Sequence, residues 1–164
     1  MKTDLTPMEQ QWLDKAQRYC AREEQCCSNV RQKMFSWGVP ADSIERLLDL
    51  LVDDDFINEQ RYVRSYCESK LRFQKWGRRK VAYQLYAKHI PKSLVAEGLD
   101  LVPDDQYQEI LFSLASHKLS SLPAGDPRNW ERLTAFLLSR GFEMEFIQPI
   151  CKSLCINNNN PLDN

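Results

Sequence analysis

VRQKMFSWGV at 30–39, VAYQLYAKHI at 81–90 and LTAFLLSRGF at 133–142 align without a gap, at offsets of 51 and 52 residues. The runs close on Gly38-Val39, His89-Ile90 and Gly141-Phe142. Working outward, a β-branched apolar residue follows six positions past each Gly or His (Ile44, Val95, Ile147). Leu48, Leu99 or Cys151 comes ten past, and Leu51, Val102 or Leu154 thirteen past. Those intervals trace one face of a helix. A self-similar period near fifty residues decides the architecture before any local reading does.

The unit contains three helices. Gly38 and Gly141 stand where a helix ends in the left-handed conformation that glycine adopts cheaply, and Pro40 and Pro91 open the next element. At the second junction His89 replaces glycine, and its Cβ makes positive φ more strained. Each unit also has a longer leading helix with an amphipathic stripe: Trp12, Ala16, Tyr19 and Cys20; Tyr62, Val63, Tyr66 and Cys67; Tyr107, Ile110, Leu111 and Leu114. The pattern predicts helices near 8–23, 26–37, 41–53, 58–74, 78–88, 92–100, 105–121, 128–139 and 143–155. The fold class is therefore all-α, three tandem three-helix repeats forming an elongated helical array whose curvature stays open. The repeats fall at 8–57, 58–103 and 104–156, with a disordered polar tail at 157–164 and a hinge expected around Pro103.

Composition agrees. Five glycines in 164 residues, with abundant Leu, Lys, Arg, Glu, Gln and Ala, suit helices better than strands and turns. No run approaches the roughly 18 apolar residues that span a bilayer. The start, MKTDLTPMEQ, lacks the apolar core of an export signal, so the sequence predicts a cytoplasmic protein without membrane contact. In that reducing setting Cys20, Cys26, Cys27, Cys67, Cys151 and Cys155 are read as thiols. Their spacing does not suit structural zinc, and the acidic run Asp53-Asp54-Asp55 reads as capping for the helix at Asn58, not as a calcium loop.

Net charge is −1, but it is segregated. Residues 61–92 hold ten basic side chains and one acid, Glu68, a balance of +9, leaving −10 for the rest. Such a field steers a polyanion or an acidic protein surface to one part of the molecule. The basic residues are interleaved with Tyr62, Tyr66, Phe73, Trp76, Tyr83 and Tyr86; Trp76 suits stacking on a base, while Tyr66 and Tyr86 lie at core spacing. Two readings stay open here, a binding face and a solvated face with packed aromatics. His89 and His117 have no triad or HExxH partner, and there is no Gly-rich phosphate cradle, so neither catalysis nor a cofactor is expected.

One run is more specific than composition. Val30-x2-Lys33-x4-Gly38-Val39, Ile44-x3-Leu48-x2-Leu51 and Asp55-Phe56-Ile57-Asn58-Glu59-x-Arg61-Tyr62 resemble the RecX family of recombination regulators. The similarity continues through Lys75-x-Gly77-x3-Val81-x3-Leu85-x2-Lys88-x-Ile90 and returns at Phe136-Leu137-x2-Arg140-Gly141-Phe142. It implies a nonenzymatic monomer of tandem three-helix repeats that binds the RecA recombinase filament, with single-stranded DNA as a secondary partner. Binding there would hinder ATP hydrolysis, strand exchange and repressor self-cleavage. Carried onto the middle segment, the contact set is Arg61, Arg72, Lys75, Arg78, Arg79 and Lys88, joined by Arg64 and Lys80 from the same basic run. A stand-alone nucleic-acid-binding protein, or a helical scaffold for another partner, is the alternative.

Overall fold

Thr6 opens the first helix through a capping box: its hydroxyl accepts the Glu9 N–H, and the Glu9 carboxylate accepts the Thr6 N–H. The structure, a computed structural model, describes residues 4–159. In chain order the helices are α1 (Pro7–Arg22), α2 (Cys27–Ser36), α3 (Ala41–Asp53), α4 (Glu59–Glu68), α5 (Arg78–Ala87), α6 (Lys92–Leu99), α7 (Asp104–Ser120), α8 (Asn129–Ser139) and α9 (Met144–Asn159). No strand occurs among the described residues. The predicted helix over 58–74 is α4 followed by a π-helical stretch, Ser69–Phe73. The predicted tail starts too early, because α9 runs on through Asn159; residues 160–164 lie outside the described part.

The repeat has one physical cause at all three junctions. Val39, Ile90 and Phe142 donate their N–H groups to Met34, Leu85 and Leu137 carbonyls, while Gly38, His89 and Gly141 donate to Phe35, Tyr86 and Leu138. This is the Schellman arrangement, which needs positive φ at its turning residue and an apolar residue next. φ is 80° at Gly38, 59° at His89 and 95° at Gly141, and Val39, Ile90 and Phe142 are all buried. His89 thus makes the same turn as the glycines, under the steric penalty expected of a residue with a Cβ.

Three units do not make three cores. Leu13, Ala16, Val30, Met34, Leu47 and Leu51 pack in the first unit, α1–α3. A second core runs unbroken through α4–α9, from Val63, Leu71 and Leu85 to Tyr107, Leu111, Leu137 and Phe142, and also takes in Cys26 from the first unit. The joints differ accordingly. Between the first and middle units the contacts are largely polar: Cys27 N–H to Glu59 at 3.3 Å, Arg61 to Glu24 at 2.9 Å, and Lys88 Nζ to Asn29 at 2.6 Å. Between the middle and third units the backbones themselves meet, with Gly77 N–H donating to the Arg140 carbonyl (2.7 Å) and Arg79 N–H to that of Gly141 (3.1 Å).

The segment around Pro103, expected to hinge, is pinned instead. Val102 is fully buried, and the Arg78 guanidinium binds the Val102 carbonyl at 2.7 Å and Asp104 at 2.8 Å while lying 4.1 Å over the Tyr107 ring. The Tyr107 hydroxyl accepts the Arg78 N–H and donates to Glu143.

All six cysteines are free. Burial pushes the Cys20 and Cys27 thiols up to about 11 and Cys67 up to about 12, so these side chains stay protonated and unreactive at neutral pH. No His, Cys, Asp or Glu grouping suited to a metal ion occurs among the described residues.

Candidate partner-binding face

A helix normally favours acids in its first turn, because the unpaired N–H groups there carry partial positive charge. α5 begins instead with Arg78, Arg79 and Lys80 and has no acid in that turn. Each such cation costs about 0.3 to 1 kcal/mol unless something offsets it. Arg78 is offset by Asp104, and Lys80 by the face of Trp76, 4.2 Å from its Nζ. Arg79 is exposed, and its side chain has no partner among the described residues.

α5 then shows a second anomaly. Val81 and Leu85 face the core, so the opposite surface, carrying Arg79, Tyr83 and Tyr86, faces solvent. Tyr83 is 72% exposed and Tyr86 46%. The core placement expected for Tyr86 is therefore wrong: one residue past Leu85, it stands about 100° around the helix from the buried stripe. Phe73, at the end of the π-helical stretch, is 80% exposed. Large aromatics left in water beside unpaired cations are what interface centres contain and what folding alone does not require.

The turn between these elements is held from outside. Lys75 has φ 53°, and the Arg140 guanidinium of the third unit donates to the carbonyls of Gln74 and Lys75. Two ammonium groups lie over the Trp76 ring, Lys70 at 4.5 Å and Lys80 at 4.2 Å from its centroid.

The eight residues singled out in sequence divide into two sets. Arg61 (with Glu24 and Asp55), Arg72 (with Glu68) and Arg78 (with Asp104) are paired with carboxylates inside the chain. Arg61 and Arg78 also grip the Asp55 and Val102 carbonyls, and Arg72 that of Leu101. Arg64, Lys75, Arg79, Lys80 and Lys88 meet no carboxylate among the described residues. Lys75 and Lys88 hold the neutral partners Ser113 and Asn29, and Arg64 and Arg79 are exposed. Along the turn into α5, Lys75 reaches Ser113 of α7, Lys80 lies over Trp76 and Arg79 faces solvent, while Arg61 and Lys88 turn toward the first unit.

Comparison with known proteins places this segment. Residues 58–99, spanning α4–α6, match the family model described as RecX, second three-helix domain. A regulatory protein RecX of Clostridium tetani is 30% identical over 128 residues, 76% of this chain and 58% of that protein. One from Chlorobaculum tepidum is 29% identical over 140 residues, covering 85% and 86%. The chain therefore spans about three fifths of the length of the clostridial relatives. Among solved structures, RecX from Lactobacillus salivarius superposes with a TM-score of 0.74 at 22% identity, over 90% of this chain and 97% of that one. A second structure, described as regulatory protein RecX, gives 0.78 at 17% identity, over 92% and 81%.

Proposed function

This chain belongs to the RecX family, and on that premise we propose that it binds the RecA recombinase filament on single-stranded DNA and restrains its activities. Those are ATP hydrolysis, strand exchange and promotion of repressor self-cleavage, in recombination repair and the SOS response. The action is by occupancy, without catalysis, in the cytoplasm and as a monomer.

The observation that carries the reading is the solvent-facing stripe of α5, Arg79, Tyr83 and Tyr86, with Phe73 also exposed in the segment before it. Aromatic anchors beside a guanidinium favour a protein surface with acidic groups at its rim. The carboxylate-free cations Arg64, Lys75 and Lys80 add steering toward that surface and toward DNA phosphates behind it. Arg72 and Arg78 hold the segment that leads into the third unit, and Arg61 and Lys88 hold the first unit against the middle one. An extended array suits the role, because it reaches more of a filament than a sphere of equal mass does.

The test is DNA-dependent ATP hydrolysis by the recombinase of the same organism. Substoichiometric amounts of this chain are expected to slow it. Unchanged hydrolysis at saturating amounts would sink the proposal.

A further inference from the structure

The first unit is acidic on average, with ten carboxylates against six cations between residues 8 and 57. The average conceals a sorting. Arg31 pairs with Glu45 and Arg46 with Glu9. The other four cations, Lys15, Arg18, Arg22 and Lys33, all line one cleft of about 350 Å³ with Tyr19 and Trp37 and no acid. All four are exposed, and their side chains form no hydrogen bond or ion pair among the described residues.

The cleft is built, not incidental. Lys15, Arg18 and Arg22 follow one face of α1, spaced over about 10 Å of helix axis. Lys33 joins them from α2. Tyr19 and Trp37 meet edge to face at 6.2 Å. Each ring also carries an ammonium group: Lys15 Nζ sits 4.3 Å from the Trp37 centroid and Lys33 Nζ 5.6 Å from that of Tyr19. Rings that seat the lysines reduce the freedom lost when an anion arrives. Asp14 borders the neighbouring hollow that shares Lys15 and Arg18, and the Gln10 side-chain amide holds it at 2.8 Å. Glu23 stands near Tyr19, whose hydroxyl pKa is raised by burial and by that carboxylate, and the remaining carboxylates of the unit lie outside the cleft lining.

We propose that the first unit carries its own binding site for single-stranded nucleic acid, formed by Lys15, Arg18, Arg22 and Lys33 around the Tyr19–Trp37 pair. Successive cations along a helix face match successive phosphates of one strand, and arginine forks suit phosphate oxygens. Aromatic rings among such cations offer unpaired bases an apolar contact that no particular sequence is needed to satisfy. This site does not use the α5 face of the middle unit.

The test uses the full chain and a dye-labelled oligothymidylate, with no recombinase present, read by anisotropy across a salt series. Wild-type binding is expected to weaken steeply with salt, and Lys15→Ala/Arg18→Ala/Arg22→Ala to bind at least tenfold less tightly at low salt. Its log–log salt slope should be shallower by about 2, since each lost phosphate contact removes about 0.7. Arg18→Gln alone should remove about 0.7 of slope, which keeps the test readable if the triple variant melts early. Unchanged affinity and slope in both variants, or a flat wild-type salt response, would overturn the site. So would loss of binding on reversing Arg79 while the triple variant binds normally. Because the recombinase is absent, failure here leaves the filament proposal standing, and failure of the ATPase test leaves this site standing.

Discussion

Gly77→Ala is expected to lower the unfolding free energy by about 3 kcal/mol or more, measured by urea denaturation. A Cβ at Gly77 would stand 2.1 to 2.2 Å from the Gly141 carbonyl group and the Phe142 nitrogen. All three atoms are backbone, and no rotamer change clears them. The Gly77–Arg140 and Arg79–Gly141 hydrogen bonds fix that approach, and Phe142, beside it, is fully buried against Tyr107. Moving the strands of backbone apart would open the shared core of the middle and third units. The same change at Gly38 would meet no atom within 4 Å and would bear only the penalty of φ 80°. It should therefore be milder, and the contrast separates collision from conformation.

The second large effect concerns binding. Arg79→Glu with Tyr83→Ala is expected to raise the dissociation constant for the recombinase filament by about 30-fold or more, corresponding to one interface hot spot of about 2 kcal/mol. Both side chains are exposed, so the melting temperature should hardly change; exposed substitutions of this kind usually stay within about 0.5 kcal/mol. Arg79→Glu should even favour α5, since it places an acid in a first helical turn that lacks one. Full affinity in the double variant would return the α5 stripe to an ordinary solvated surface.

How much of this was legible in sequence follows from the range of the interactions. The Schellman turns close over six residues, so Gly38, Gly141 and the apolar residues after them announced the units, and His89 fitted by position alone. Helix starts were equally local: the sequence placed a helix start at Asn58, and there the Asn58 side chain itself, not the acidic run before it, caps α4 by accepting the Arg61 N–H. The π-helical stretch had no local signal. It follows helical residues without a break, and its exposed product, Phe73, looked like one more aromatic in a basic run.

The candidate site was half legible for the same reason. Arg61, Arg72 and Arg78 looked like free charge. Yet Arg61 meets Glu24 across 37 positions and Arg78 meets Asp104 across 26, pairings that only the fold creates. Arg78 and Val102 also explain why a proline-containing linker became a fixed joint. In the first unit the error ran the other way. A net negative charge hid four cations that folding gathers into one cleft, and only the lining of that cleft reveals them.

The most direct test of the central claim is photo-crosslinking from position 83, with a benzophenone amino acid replacing the exposed Tyr83 and position 35, also exposed in wild type, as the comparison site. With assembled recombinase filaments, position 83 is predicted to form a covalent adduct with the recombinase subunit in high yield. An adduct from position 35 with none from position 83 would contradict the placement of the middle unit's α5 face against the filament.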